Sequence, residues 1–275
     1  MVEGYLAKPK IKLVAVDLDD TLLGPDLAVS ARNRQALWRA RQQGVRVVPA
    51  TGRMFRSAQT IALRLGLRDP VIAYQGALVR WPAGEEIAHL PLPLALAREV
   101  LARVAPAGFH VNVYVDDNLY VAELTEEAKR YAALSGVPVQ AVGDLAAFLS
   151  RDPTKVLVVA PETELDRLAR DLAPHWGDRL TMNKSKPHFL EFSHREATKG
   201  RALARLAALF GLRREEVMAI GDGYNDLDMV EYAGIGVVMG NARPEVRARA
   251  DWVTAANDAD GVAEAVERFV LGGGV

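Results

Sequence analysis

The most constraining stretch of the chain is Ile11–Asp17, IKLVAVD, a short run of branched aliphatic residues that follows no helical period. A run of this kind, closed by acidic and turn residues, reads as a strand buried on both faces. Strands of that type belong to parallel sheets covered by helices. The same grammar then repeats. Ser30 caps a helix, ARNRQALWRARQQ, that stops at Gly44. A second buried run, Val45–Ala50, follows at once, Thr51-Gly52-Arg53 leads into an amphipathic helix to about Leu65, and a third run lies at Pro70–Tyr74. Near the C-terminus the pattern returns, with helices over Thr198–Leu212, Asn225–Ala233, 242–249 and 260–271. They alternate with strands over Val217–Gly221, Ile235–Met239 and Trp252–Thr254. Strands and helices in alternation, joined by short connections, predict an α/β fold with a doubly wound, mostly parallel Rossmann-like core sheet.

From about Arg80 to His188 the pattern changes to mixed α and β. Helices are expected at 94–105, 125–134, 144–150 and 162–173, and strands at 109–115, 118–122, 137–142, 154–160, 178–183 and 188–193. Val111–Val115, the turn Asp116-Asp117-Asn118 and Leu119–Val121 form a predicted hairpin. A segment of this length between two halves of one sheet is an inserted domain rather than a loop. The expected organisation is a flexible tail at 1–10, loose through about Pro9, a core formed by 11–79 with 190–275, and an inserted α+β cap domain at 80–189. Linkers near 76–84 and 187–197 are the expected hinges.

Charge narrows the partners. The 34 Lys and Arg stand against 35 Asp and Glu, a net charge of −1, so no whole-molecule field gathers nucleic acid or anionic membrane. There are no cysteines, which removes disulfides, thiolate zinc sites and cysteine nucleophiles. No stretch approaches the roughly 18 apolar residues of a membrane helix. Glu3, Lys8, Lys10 and Lys12 interrupt the N-terminus where a signal peptide would be apolar. A cytoplasmic monomer or homodimer is expected, with neither nucleic acid nor membrane as partner.

Polar residues gather where the core strands end, and open α/β sheets bind ligands beyond those ends. Asp17-Leu18-Asp19-Asp20-Thr21 follows the first strand. In extended backbone residues i and i+2 share a side, which lets Asp17 and Asp19 face one centre. Gly221-Asp222-Gly223-Tyr224-Asn225-Asp226 follows another strand, with Asp222 at its end and Asp226 in the first turn of the next helix. This segment opens like a GxG dinucleotide loop, but Asp226 stands at the third glycine and would repel the anion. Thr51-Gly52 offers a hydroxyl and backbone N–H groups for an oxyanion. Lys199 begins a helix, where the dipole disfavours a cation unless an anion or a carboxylate cluster lies nearby. Crowded carboxylates themselves need a cation or a shared proton. Singly, each is an ordinary turn or surface residue. Together they supply a hard-cation site, phosphate-oxygen donors and a carboxylate nucleophile. The expected cation is magnesium (Mg2+), held by few carboxylates, with water and substrate phosphate completing its shell.

DLDDT (17–21), ATGR (50–53), ATKG (197–200) and GDGYNDLDM (221–229), in that order, resemble the haloacid dehalogenase (HAD) superfamily. Within it the chain resembles, over nearly its whole length, the Cof-type phosphatases with a type IIB cap. NDADGVAEAVERFV (257–270) is similar to the C-terminal segment of that family. Too few residues separate Thr21 from the first helix for a cap there, so the cap is the insertion before Lys199. The resemblance implies a magnesium-dependent phosphomonoester hydrolase that acts on a small phosphorylated metabolite through an aspartyl-phosphate. Asp17 would be the nucleophile, and Asp19 the acid that protonates the leaving alcohol and the base that then activates water. The metal would be held by the Asp17 carboxylate, the Asp19 backbone carbonyl and Asp222, with Asp226 supporting them. The Leu18 backbone N–H, Thr51, Gly52, Lys199 and Asn225 would hold the phosphoryl group, with Arg53 behind them. Two departures stand out: Asp20 replaces a more usual glycine, and Gln75-Gly76-Ala77 replaces Asn-Gly-Ala.

Two alternatives accompany this reading. A phosphomutase of the same superfamily would return the phosphoryl group to its substrate. A non-hydrolytic phospho-accepting receiver or sensor would also use acidic residues, Thr and Lys. In a receiver, however, the acceptor ends the third strand rather than the first, and a sensor would be expected to lack Asp17 or Asp19. Specificity is expected in the cap, where Asn183–His188 reads as a basic turn between two strands and Glu191 as a residue facing the cleft. His110, His175 and His194 lack metal-site spacing and read as structural or surface residues.

Overall fold

Lack of alternation in the first aliphatic run demands cover on both faces, and all four residues of β1 (Leu13–Val16) are buried. The computed structural model describes residues 10–272, and the tail expected through Pro9 lies outside the described residues. After β1 come α1 (Ala31–Gln42), β2 (Arg46–Pro49), α2 (Phe55–Arg64), β3 (Val71–Ala73), β4 (Leu78–Arg80) and β5 (Glu86–His89). The middle of the chain forms α3 (Leu94–Val104), β6 (His110–Val115), β7 (Asn118–Val121), α4 (Glu126–Ser135), β8 (Val139–Ala141), α5 (Leu145–Phe148), β9 (Lys155–Val159), α6 (Glu162–Trp176), β10 (Leu180–Lys186) and β11 (Phe189–His194). The last stretch is α7 (Lys199–Leu209), β12 (Val217–Gly221), α8 (Leu227–Tyr232), β13 (Ile235–Val238), α9 (Pro244–Arg247), β14 (Trp252–Val253) and α10 (Gly261–Phe269). Two compact units result. One runs up to Pro49 and resumes at Leu203, and the other is Ala50–Ala202.

The first unit holds a five-stranded parallel sheet in the order β14-β13-β12-β1-β2. Successive strands step outward in opposite directions from the β1–β12 pair. That pair is the switch point, where the carboxyl ends of an open α/β sheet bound a crevice. Its register sets Val16 against Ile220, so Asp17 falls opposite Gly221 and Asp222 one residue beyond. Ser30 caps α1 by accepting the Asn33 N–H at 3.1 Å. Asn33 is buried, and its Oδ1 accepts the Ala263 N–H at 2.8 Å, which ties α1 to the first turn of α10.

The second unit is built on a six-stranded sheet, β10-β11-β9-β6-β7-β8, antiparallel except for the β7–β8 pair. Alternation decides its two faces. Val113, Val115, Val156, Val158, Leu190 and Phe192 point one way and form one apolar cluster with Leu96, Val100 and Leu101 of α3 and Leu165 and Leu172 of α6. Each such side chain gains roughly 1.5–3 kcal/mol by burial. The residues between them, Asn112, Tyr114, Lys155 and Glu191 together with Leu157, are also buried, so the opposite face carries polar groups yet is covered.

Three expectations change. The run at Pro70–Tyr74 does not simply extend the parallel sheet: β3 pairs antiparallel with β4, which pairs with β5, and its parallel contact is the single bridge Ile72–Ala50. The supposed linker at 76–84 contains β4, because short strands flanking Pro82-Ala83-Gly84 show too few residues for a period to register, while the strand expected at 188–193 is present as β11 within the other, 187–197. The basic stretch Asn183–His188 is strand through Lys186, with an irregular register between Lys184 and Lys186, and only Pro187-His188 turns.

Candidate active site

In the first unit, Asp17 still belongs to the sheet by its backbone: its N–H donates to the Ile220 carbonyl at 2.9 Å. Beyond it the chain coils tightly, with Leu22 N–H returning to the Asp17 carbonyl at 3.3 Å and Leu23 N–H to the Leu18 carbonyl at 2.8 Å. Fully buried Leu18 and Leu22 peg this coil into the core. Asp17 and Asp19 both keep extended backbone (ψ 158° and 132°), while Asp20 takes the left-handed φ of 58°. Glycine adopts that conformation without strain and aspartate tolerates it better than most residues, which explains the exchange noted in the sequence.

The ends of β1 and β12 bring three carboxylates together. Asp17, Asp222 and Asp226 each place an oxygen within 4.8 Å of the other two. Asp17 is 5% exposed and Asp226 1%. Charges at that spacing repel by on the order of 3 kcal/mol per pair at an effective dielectric constant of about 20. Every converging donor is a hard oxygen, and the chemistry of that set fits magnesium. Asp226 already accepts the N–H groups of Asp222 (3.0 Å) and Gly223 (2.9 Å), so it holds the loop that presents Asp222. Thr21, fully buried, donates its hydroxyl to Asp222 Oδ1 at 2.9 Å. Gly221 permits the packing, since a Cβ there would lie 2.4 Å from Asp226 Cβ. Asp19 is half-buried, and its carboxylate is not part of the converging group. Asn225 sits in the turn Tyr224–Asp226 that precedes α8.

Two residues with no role assigned from the sequence brace this arrangement. Asn241 donates to the Asp20 carbonyl at 2.8 Å and accepts the Asn257 N–H at 2.9 Å, while the Asn257 amide donates to the Leu23 carbonyl at 3.1 Å. Asn257 opens the segment already compared with the family's C-terminal stretch. Asn241 carries no sequence signal of its own.

In the second unit, Thr51, Gly52, Arg53 and Lys199 form another set. Thr51 is fully buried; its N–H donates to the Ile72 carbonyl (2.8 Å), and its Oγ1 accepts the Arg53 N–H (3.1 Å). Gln75 N–H returns to the Thr51 carbonyl (3.0 Å) and Tyr74 N–H to the Arg53 carbonyl (2.9 Å). Tyr74 and Gln75 take consecutive left-handed φ values of 51° and 58°. Burial, then the neighbouring Asp117, holds the Tyr74 phenol well above its ordinary range, so it remains a donor, bonded to Asp117 Oδ1 at 2.8 Å. Gly76 (φ 97°) lies so close to the Thr198 carbonyl that a Cβ would sit 2.2 Å from its oxygen, and this contact seats Lys199 beside the loop. Lys199 is 1% exposed at the start of α7. Glu191, expected to face a cleft, is buried against Lys155, a residue that carries no site signal in the sequence.

A family model for haloacid dehalogenase-like hydrolases matches residues 14–266. The chain belongs to the haloacid dehalogenase-like hydrolases. A haloacid dehalogenase-like hydrolase from Bacteroides thetaiotaomicron superposes with a TM-score of 0.86 at 31% identity, covering 94% of this chain and 99% of that one. The HAD subclass IIB sugar phosphatase BT4131 superposes with a TM-score of 0.80 at 25% identity, over 94% and 98%. YitU of Bacillus subtilis, a 5-amino-6-(5-phospho-D-ribitylamino)uracil phosphatase, is 30% identical over 262 residues, 94% of this chain and 97% of its own. This HAD chain is thus an enzyme of the phosphatase class. Among its described residues no helix is long and apolar enough to cross a membrane.

Proposed function

We propose that this HAD phosphatase hydrolyses the phosphate monoester of a small metabolite, in a magnesium-dependent reaction that passes through an aspartyl-phosphate. The observation that carries the reading is the convergence of Asp17, Asp222 and Asp226 at the carboxyl ends of adjacent parallel strands. When bound, the metal supplies charge neutralisation for the transferring phosphoryl group; Asp17 and Asp222 would hold it with the Asp19 carbonyl. An Asp17 oxygen attacks phosphorus and the ester oxygen departs, taking a proton from Asp19. Asp19 then removes a proton from water, which attacks the same phosphorus and releases phosphate from Asp17. Leu18 N–H, Thr51, Gly52, Lys199 and Asn225 hold the phosphoryl oxygens, and Arg53 supports the loop. Such positioning and neutralisation is most of what phosphoryl transfer requires. The segment expected as the cap, 80–189, would extend through β11 to His194, because β11 pairs with β9 and β10. Names of the relatives extend to a sugar phosphatase and a phosphoribityl-uracil phosphatase, which supports a polyhydroxylated phosphate ester as substrate.

The test is phosphate release from a panel of metabolite monoesters, with and without EDTA, for the wild-type chain and for Asp17→Asn. Release that needs magnesium and falls to background in the variant is expected. Release indifferent to EDTA, or retained by Asp17→Asn, refutes the mechanism. Isomerised hexose phosphate in place of free phosphate would assign a mutase.

A further inference from the structure

A buried ion pair stands outside the machinery described so far. Lys155, the first residue of β9, is 1% exposed, and Glu191 of β11 is 5% exposed; Lys155 Nζ lies 3.0 Å from Glu191 Oε1. Both occupy the polar face of the six-stranded sheet, opposite the apolar cluster of Val156, Val158, Leu190 and Phe192. Ser185 donates to the same Glu191 oxygen at 2.7 Å, and the rings of Tyr74 and Tyr114 flank the ammonium at 5.8 and 5.3 Å. Taking two charges out of water costs several kcal/mol each, and such pairs are often no more stabilising than apolar residues of the same volume. Stability alone is a weak reason for this one.

Its remaining bond supplies another. Lys155 Nζ donates to the Gly52 carbonyl at 3.1 Å. That carbonyl belongs to the Gly52–Arg53 peptide, whose N–H at the other end donates to Thr51 Oγ1 at 3.1 Å. One rigid peptide plane thus links the ammonium to the threonine hydroxyl. A cation on the carbonyl polarises the amide and strengthens its N–H as a donor. With one lone pair committed to Arg53 N–H, the hydroxyl of Thr51 is restricted in the direction it can offer its proton.

We propose that Lys155, anchored by Glu191, is a positioning residue that sets the Gly52–Arg53 peptide and through it the Thr51 hydroxyl for a phosphoryl oxygen. This rests on the phosphatase reading above, in which Thr51 and Gly52 hold that oxygen. Misplacing such a donor by about 1 Å can cost about 100-fold in rate.

The decisive variant replaces both charges, Lys155→Met with Glu191→Met, in the full-length chain. Three quantities are measured: kcat and KM on the best wild-type substrate, inhibition by inorganic phosphate, and the melting temperature. The expected result is a folded protein with kcat/KM lower by about 10- to 100-fold and a phosphate Ki raised several-fold. A purely structural pair would move the melting temperature without moving phosphate affinity. Lys155→Arg keeps the charge and the donors, and restores most of the activity. A folded double variant with wild-type kcat/KM and phosphate Ki overturns the proposal. If the double variant does not fold, Glu191→Gln decides: it keeps the side-chain volume, and wild-type values in it overturn the proposal while a raised phosphate Ki supports it. Failure of the underlying reading shows separately, as a wild-type chain without metal-dependent phosphate release.

Discussion

Thr21→Val removes one hydroxyl and little else, which makes it a direct probe of how the proposed metal ligand Asp222 is held. Thr21 is fully buried, and its Oγ1 donates to Asp222 Oδ1 at 2.9 Å. A hydrogen bond to a charged group contributes about 1.5–3 kcal/mol. Asp222 is only half-buried, so water replaces part of the loss and the lower end, about 1.5 kcal/mol, applies. At 1.4 kcal/mol per decade that is about a tenfold weaker metal site, which is also the lower end of the range measured when the partner of a metal ligand is removed, about 10- to 100-fold. The assay is a magnesium titration of phosphate release, paired with manganese binding followed by electron paramagnetic resonance in the absence of substrate. Thr21→Ser keeps the donor and should titrate like the wild type. A folded Thr21→Val chain whose half-saturating magnesium stays within about twofold of the wild-type value would refute the reasoning, because Asp222 would then owe nothing to Thr21.

Gly76→Ala meets backbone rather than a yielding side chain: φ is 97° and the new Cβ would sit 2.2 Å from the Thr198 carbonyl oxygen. Backbone strain of this kind costs about 1–3 kcal/mol before the overlap is counted, so urea denaturation should show a loss of at least that size; a loss under about 0.5 kcal/mol would contradict the close approach. Burial holds His89 and His110 below the ordinary value of 6.5. The unfolded chain therefore binds protons that the folded chain does not, and the stability their neutral rings provide is full above pH 6.5 and is lost as the pH falls through the folded values. The urea midpoint should fall from pH 7 to 5 more steeply in the wild type than in His89→Gln/His110→Gln, and parallel curves for the two would refute it.

Local chemistry decided what could be read from the amino acids. β1 and β12 announce themselves because a strand covered on both faces carries no polar residue to blur it, and Ser30 marks the start of α1 because its side chain has one specific task. β4 and β5 have three and four residues on either side of a Pro-Ala-Gly turn, too short for alternation to show, so a hairpin passes for a linker. The polar face of the second unit was hidden for a different reason. Lys155 heads an aliphatic run, KVLVV, and a lysine there reads as the solvated edge of a strand; its burial follows from Glu191, some three dozen positions later, lying on the neighbouring strand.

The carboxylate cluster shows the same limit in its sharpest form. Each acidic motif is visible at the end of its own strand, but the distance between Asp17 and Asp222 is a property of the register between β1 and β12, which no local pattern encodes. Val16 aligns with Ile220, and Asp17 N–H bonds to the Ile220 carbonyl. A slip of one residue would turn every side chain of one strand to the other face. It would expose Leu13 and Ala15 or Met218 and Ile220 to a changed environment, all of them fully buried here. The register that packs the core is therefore the register that crowds the carboxylates, and the repulsion among them is carried by the burial of the strands beneath. Asn241, Asn257 and the Asp226 carboxylate then hold the loops at those strand ends, which is why a cluster that opposes its own assembly persists as a site shaped for a divalent cation.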